Sequence, residues 1–442
     1  MKPVPLFFAA LAVALAQSLP SSLCAADAHN PLKQTLTDMN AYDADHWIYN
    51  DLTAAKAEAR RSGKPIFVTF RCVPCKACKS FDAEVANGSD VIKKLAQEKF
   101  ISLRQVEMKG VDLNLFQFDH DLNWAAMFIN ADGVIYARYG TQSAAGPDAF
   151  NSIESLKKTM ERVLKVHETY PANKASLAGK RGKDRPYSSA LEMPGMLNKD
   201  KLRAPTNRGN CIHCHMIHDA ENRQAYRSGK YTADLIFRYP YPNNLGIEID
   251  PDDGRKIKTI QQGGWADRAG LKAGDDIVKV NGQIMTSIAD FQWVLHNLPN
   301  TSVTVNITAS RNGKTSDHTV TTRPGWKKTD FSWRGSLWAM PPKMGIYFPK
   351  MNSEELKKAG LPASFNASKV KWINNNVATA RAAKKAGLRL NDIIIAIDGK
   401  PLPGGHREIN YYIKTNRRPG QKLGMTVLRN GRRTNIAIPL HE

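Results

Sequence analysis

One pattern occurs twice in the C-terminal half of the chain. "LGIEID…ADRAGLKAGDDIVKVNG" at 245–282 is echoed by "MGIYFP…ARAAKKAGLRLNDIIIAIDGK" at 344–400. Two copies of one pattern imply two copies of one fold. Each copy closes with alternating strands around an Arg-Asn-Gly turn, "TVNITASRNGKTSDHTV" and "LGMTVLRNGRRTNIAI". Asn-Gly between such runs is a hairpin signal.

The AGLxxxDxIxxxxG core of both copies resembles PDZ domains of the bacterial HtrA type. The resemblance implies two partly open β-barrels, at 241–324 and 343–442. It also implies that each adds an extended peptide to a sheet edge and holds its C-terminal carboxylate on backbone amides. Those amides belong to Leu245, Gly246 and Ile247 in the first copy, and to Met344, Gly345 and Ile346 in the second. Pro349 falls inside the strand that pairs with the peptide in the second copy, which makes the first the expected binder. HtrA proteins carry a serine protease before such domains, but no GNSGG-like nucleophile loop occurs here, so protease activity is not expected. Between the copies, 325–342 holds Trp326, Trp333 and Trp338, which are expected to pack the modules together.

The chain has six cysteines: Cys24, Cys72, Cys75, Cys78, Cys211 and Cys214. Cys24 lies in "MKPVPLFFAALAVALAQSLPSSLCAADA", a basic residue followed by a short apolar run and small residues. This reads as a signal peptide, 1–26, cut near Ala26. A periplasmic or secreted protein is expected, with no transmembrane segment. The other five cysteines form two tight clusters, which suits chemistry better than a disulfide framework. The formal net charge of +22 favours anionic partners. Export, and the lack of a nucleic-acid module, argue against nucleic acid.

In the first cluster, an alanine-rich helix over 52–62 and an apolar strand over 66–70 precede "RCVPCKACK", and helical character resumes afterwards. Strand, CxxC, helix puts a sulfur at a helix N-terminus, where thiolate is stabilised. Arg71 adds a positive charge beside it. The segment 45–168 resembles the thioredoxin-like family, an α/β fold. That resemblance implies that Cys72 attacks and Cys75 resolves a mixed disulfide. The family's proline opposite the cysteines is missing near Trp124 and Ala125. Cys78 lies one helical turn past Cys75, so a soft ion such as Cu(I) held by Cys72, Cys75 and Cys78 is an alternative.

The second cluster, "CIHCH", lies in 169–240, which reads as a basic linker. Cys211, Cys214 and His215 resemble the haem-attachment motif of c-type cytochromes, which implies covalent haem c with His215 as proximal iron ligand. Met196 or Met193 is the candidate distal ligand. A zinc site completed by His213 and His218 is the competing reading. If haem is attached, His213 simply faces solvent.

The expected architecture is therefore a multidomain α/β plus β chain. The expected function is thiol–disulfide exchange or electron transfer, with PDZ domains recruiting protein C-termini. The alternative is a non-enzymatic envelope adaptor, or a copper-type metal-binding protein, with peptide-binding PDZ domains.

Overall fold

The computed structural model describes residues 31–41, 44–73 and 79–442. The leader with Cys24, and both Cys75 and Cys78, lie outside the described residues.

The first unit is a five-stranded sheet with α1 (Pro31–Leu36) beside it. Its strands are β1 (Trp47–Tyr49), β2 (Ile66–Arg71), β3 (Ile101–Gln105), β4 (Trp124–Ile129) and β5 (Ile135–Tyr139), in the order β1-β3-β2-β4-β5. The first three strands are parallel, β4 runs against them, and β5 runs antiparallel to β4. The helices are α2 (Leu52–Ser62), α3 (Lys79–Ala83), α4 (Asp90–Lys99) and α5 (Ile153–Glu168). Each long helix starts where its sequence supplies a cap. Asp51, Ser89 and Ser152 each accept from the backbone amide three residues on, and α2 stops at Gly63 in the left-handed region.

The central strands are apolar on both faces, and both faces are covered. Phe67, Trp124, Ala126 and Phe128 face Ile92 on α4 and Leu156, Met160 and Val163 on α5. Val68, Phe70, Leu103 and Met127 face the other way. Ala55 and Ala59 of α2 cover part of that face. The rest is covered by Met193, Met196, Leu202, Ile212, Ile217 and Ala220.

Residues 169–240 are therefore not a linker. They carry α6 (Lys199–Arg203) and α7 (His215–Arg227), and they form a layer of the first unit's core. Their prolines, glycines and charges hide scattered apolar anchors, and burying each such anchor is worth about 1.5–3 kcal/mol.

The first repeat comprises β6 (Ile247–Ile249), β7 (Ile257–Ile260), α8 (Trp265–Arg268), β8 (Asp276–Val280), β9 (Gln283–Ile284), α9 (Ile288–His296), β10 (Thr304–Arg311) and β11 (Lys314–Thr321). The second comprises β12 (Ile346–Tyr347), α10 (Ser353–Lys358), β13 (Ser368–Lys369), β14 (Trp372–Ile373), α11 (Ala378–Lys385), β15 (Ile393–Ile397), β16 (Lys400–Pro401), α12 (His406–Asn416), β17 (Lys422–Arg429) and β18 (Arg432–Pro439). Each is an antiparallel sheet capped by a two-stranded ladder, β6–β7 or β12–β14. The hairpins turn at Asn312-Gly313 and Asn430-Gly431, all four residues at positive φ, as a two-residue turn with matching twist requires.

Of the three connector tryptophans, Trp326 is buried in the first repeat and Trp333 against the first unit. Trp338 is 53% exposed. Among the described residues, no helix is long and apolar enough to cross a membrane.

Candidate functional site

Cys72 follows the last residue of β2. Its neighbour Arg71 pairs across the sheet with Trp124, so the place where a proline was expected lies beside the thiol and is held by an indole. Arg71 does not charge the thiol's surroundings as expected. Its guanidinium is buried, 2.7 Å from Asp38 Oδ1 and 2.9 Å from Asp82 Oδ2. Arg104 pairs with the same two carboxylates at 2.7 and 2.8 Å, and Trp124 Nε1 donates to Asp82. Burial alone would raise the Asp38 carboxyl, but Arg104 and Arg71 hold it below its usual value. The two arginine charges are neutralised within this cluster.

What faces Cys72 comes from the second cysteine cluster. Cys72 Sγ lies 2.8 Å from His213 Nδ1. The two residues are 141 positions apart, and the covering layer brings them together. Burial, then the charge of His215, pushes His213 below the usual histidine value. A neutral ring that can accept the thiol proton results. His213 is thus half-buried and engaged, where a solvent-facing position was expected. Its own backbone amide donates to Met216 Sδ at 3.4 Å.

Cys211 and Cys214 are both buried, but on different sides. Cys211 packs with the α4–α5 face of the sheet, and Cys214 with the opposite face. Burial, then Glu107 and Cys72, pushes the Cys211 thiol well up, so it stays protonated. Cys214 and His215 line a cavity of about 370 Å³ that also holds Cys72. Cys211 lines a separate cavity of about 320 Å³, with Met196 and Met216. His213 borders both cavities. Met193 is fully buried in the core. His215 Nδ1 is 3.2 Å from Asp219 Oδ2.

The donor types are those of a c-type haem, but the donors do not converge. In this arrangement the two sulfurs open onto different cavities. The zinc alternative does not assemble either. His218 turns away and lies 3.0 Å from Asp121 Oδ2. Asp119, Asp121 and His218 form a buried cluster of metal-ligand type. The guanidinium of Arg334 already supplies its cation, 2.7 Å from Asp119 and 3.1 Å from Asp121.

The two repeats differ in their helix-side grooves. In the first, Leu245 and Ile247 are buried in the module core around Gly246. The groove helix α9 is buried from Ile288 to Leu295. Asp290 Oδ1 accepts from the Arg138 amide at 3.0 Å, and its Oδ2 pairs with Lys180 at 2.7 Å. Gln292 donates to Tyr239 O at 2.8 Å and accepts from Thr141. The Tyr239 ring stacks on His296 at 4.1 Å. The first groove, expected to be the better binder, is thus built over by β5 and by the segment before the module.

In the second repeat, Met344, Gly345 and Ile346 border a cavity of about 480 Å³. Its other wall is His406, Asn410 and Lys414, spaced four apart on one face of α12, with Trp372 and Trp338 at the rim. Lys414 Nζ donates to Met340 O and Pro342 O, fixing the loop that carries the amides. Burial pushes Lys414 down to about 7 and His406 down to about 4. Gly345 sits at φ +62, and a Cβ there would lie 2.5 Å from Val377 Cβ. Pro349 falls past the two-residue strand β12, so it removes no donor from that ladder.

His213 carried no local signal, since its partner lies across the fold. The four-residue spacing of His406, Asn410 and Lys414 is the local signal for that wall.

Comparison with known proteins gives the following matches. Residues 47–131 match the family described as thioredoxin-like, and residues 243–322 and 342–440 match the PDZ domain family. A curated relative, "Serine protease Do-like HtrA" of Lactobacillus helveticus, is 35% identical over 80 residues, 18% of this chain and 19% of that protein. The chain thus spans about a fifth of that relative. Among solved structures, "HtrA-type protease AlgW with decapeptide" matches at 18% identity and TM-score 0.19, over 31% of this chain and 55% of that one. The AlgWS227A form with decapeptide matches at 18% identity and TM-score 0.21, over 42% and 54%.

Proposed function

We propose that this chain, which carries a thioredoxin-like domain and two PDZ domains, is an exported thiol–disulfide exchange protein that recruits protein tails through its second PDZ domain. The observation that carries this reading is the 2.8 Å contact between Cys72 Sγ and His213 Nδ1. Export rests on the leader sequence and on a cysteine content grouped for chemistry.

The chemistry follows from the pair. A thiol is a weak nucleophile and its thiolate a strong one. His213, kept neutral by burial, takes the Cys72 proton. The thiolate attacks one sulfur of a partner disulfide and forms a mixed disulfide, and the other partner sulfur leaves as thiolate. By family resemblance Cys75 then resolves the intermediate. Cys211 is held as a thiol and serves structure, anchoring the segment that carries His213. Asp119, Asp121, His218 and Arg334 act likewise, since their charges are mutually satisfied.

The test is alkylation of the full chain near neutral pH, with Cys72→Ser defining the background. His213→Ala should slow modification of Cys72 roughly 10²-fold, the usual scale of one positioned base. Equal rates in wild type and His213→Ala would remove the basis for exchange chemistry and leave the peptide-binding adaptor reading.

A further inference from the structure

We propose that the second PDZ groove and the Cys72 cavity form one substrate track, so that the substrates are proteins with a disulfide-bonded cysteine at least five residues before a free, apolar C-terminus. This rests on the exchange reading above and adds to it the class of substrate and the direction in which it lies.

The direction comes from the two ends of the groove. At one end, Lys414 is hydrogen-bonded to the loop just before Met344, Gly345 and Ile346. A terminal carboxylate seated on those amides lies at this end, with the cationic Lys343 beside it. At the other end His406 opens α12. Its ring stacks on Trp338 at 4.9 Å and meets Tyr347 and Phe348 edge-on at 5.2 and 4.5 Å. The strand β12 therefore leads from the amide loop toward His406. A peptide added antiparallel to it runs with its C-terminus at the loop and its upstream residues at His406.

The length follows from helix geometry. His406 to Lys414 is eight helical steps, about 12 Å. An extended chain covers that in about four residues at about 3.3 Å each. The next residue upstream reaches the rim formed by Trp338.

The rim is where the two cavities meet. Trp338 borders both the groove and the cavity that holds Cys72, His213 and Cys214. Arg407, next to His406, also lines the Cys72 cavity. The short helix over Gly335–Ala339 that carries Trp338 packs on α7, whose first residue is His215. A Cβ at Gly335 would lie 3.3 Å from His215 Cβ. A tail anchored by its carboxylate is thus led past Trp338 toward the thiolate.

The step balances within the pair. The Cys72 sulfur bonds to the substrate cysteine sulfur, and the substrate S–S bond breaks. Its electron pair goes to the departing sulfur, while the Cys72 proton stays on His213. Cys72 is oxidised and the departing thiol is reduced, with the substrate disulfide as oxidant.

The test uses the full wild-type chain and synthetic peptides with apolar C-termini. Each carries one cysteine as its disulfide with thionitrobenzoate, whose release is followed by absorbance. Among peptides with the cysteine stepped upstream from the fifth position from the end, the best placed should react roughly 10²-fold faster than its C-terminally amidated form, because anchoring makes the step intramolecular. Moving the cysteine next to the terminus, or far upstream, should cost the same advantage. Mass spectrometry should place the mixed disulfide on Cys72. If all peptides react as fast as the small reagent alone, the track is wrong while exchange at Cys72 stands. If even the small reagent reacts slowly, with no dependence on His213, the exchange reading itself fails.

Discussion

The two PDZ domains share a four-strand order, β11-β10-β8-β9 and β18-β17-β15-β16, and their hairpins, yet their groove helices are used differently. In the first, α9 is an internal beam. Asp290 ties it to Lys180 and to the backbone of β5, and Arg138 stacks over Trp293 with its Cζ 3.7 Å from the ring. In the second, α12 turns His406, Asn410 and Lys414 toward an open cavity and uses its other side to dock. There Tyr411 donates to Thr329 O. A duplicated module can thus keep its fold while its groove helix is converted to structure, through a few side chains on that helix and the residues outside the repeat that meet them.

The sharpest way to break this comparison is at the third residue of each helix. Asp290 and Glu408 occupy the same place after their caps, Ser287 and Gly405. Asp290→Asn removes a charge from a buried pair and should cost about 3–5 kcal/mol in urea unfolding. Glu408 accepts from the Gly405 amide at the cap, and Glu408→Gln should cost about 1 kcal/mol. Similar costs at both sites would mean that α9 is no more structural than α12.

A smaller effect separates the two amide loops. Gly345 and Gly246 both have positive φ, so alanine strains either. Only Gly345→Ala should weaken binding of a free C-terminal peptide, at least about tenfold or 1.4 kcal/mol. Gly246→Ala should leave affinity unchanged in the same fluorescence titration. A loss in both variants, or in Gly246→Ala alone, would return the binding site to the first module.

The remaining contrast is alkaline. Burial, then the Lys343 charge, lowers Lys414 to about 7. Its folded value lies below its unfolded one, so the unfolded chain holds more protons between pH 7 and 10. Stability then rises across that window. Lys414→Met should flatten the rise in urea midpoint. At the matching place on α9, His296 is held far below its ordinary value by burial and gives no such dependence. An identical alkaline profile in wild type and Lys414→Met would show that Lys414 does not titrate in the folded state.

The sequence was most legible where structure is local. The helix over 52–62, the strand entering the cysteines and the Asn-Gly hairpins follow from capping residues, period and turn chemistry read within a few positions. Legibility failed where contacts span the chain. The charge on Arg71 is cancelled by Asp38, 33 residues away. The segment 169–240 looks polar because its apolar residues are spaced to fit a sheet face, with no helical period. Which groove is open depends on Tyr239 and Lys180, which lie outside the repeat. Nothing near His213 in the sequence marks its contact, because Cys72 lies 141 positions away.

The covered sheet face also sets an order of events during synthesis. Domains emerge N-terminal first, so β1 to β5 leave the ribosome with Val68, Phe70, Leu103 and Met127 bare. Cys72 then lacks its imidazole. Ile212, Ile217 and His213 follow later, and Trp333 and Met340 close the same face later still. The contact between Cys72 and His213 therefore forms only after most of the chain has been made, and until then the nascent chain carries a thiol without its imidazole neighbour.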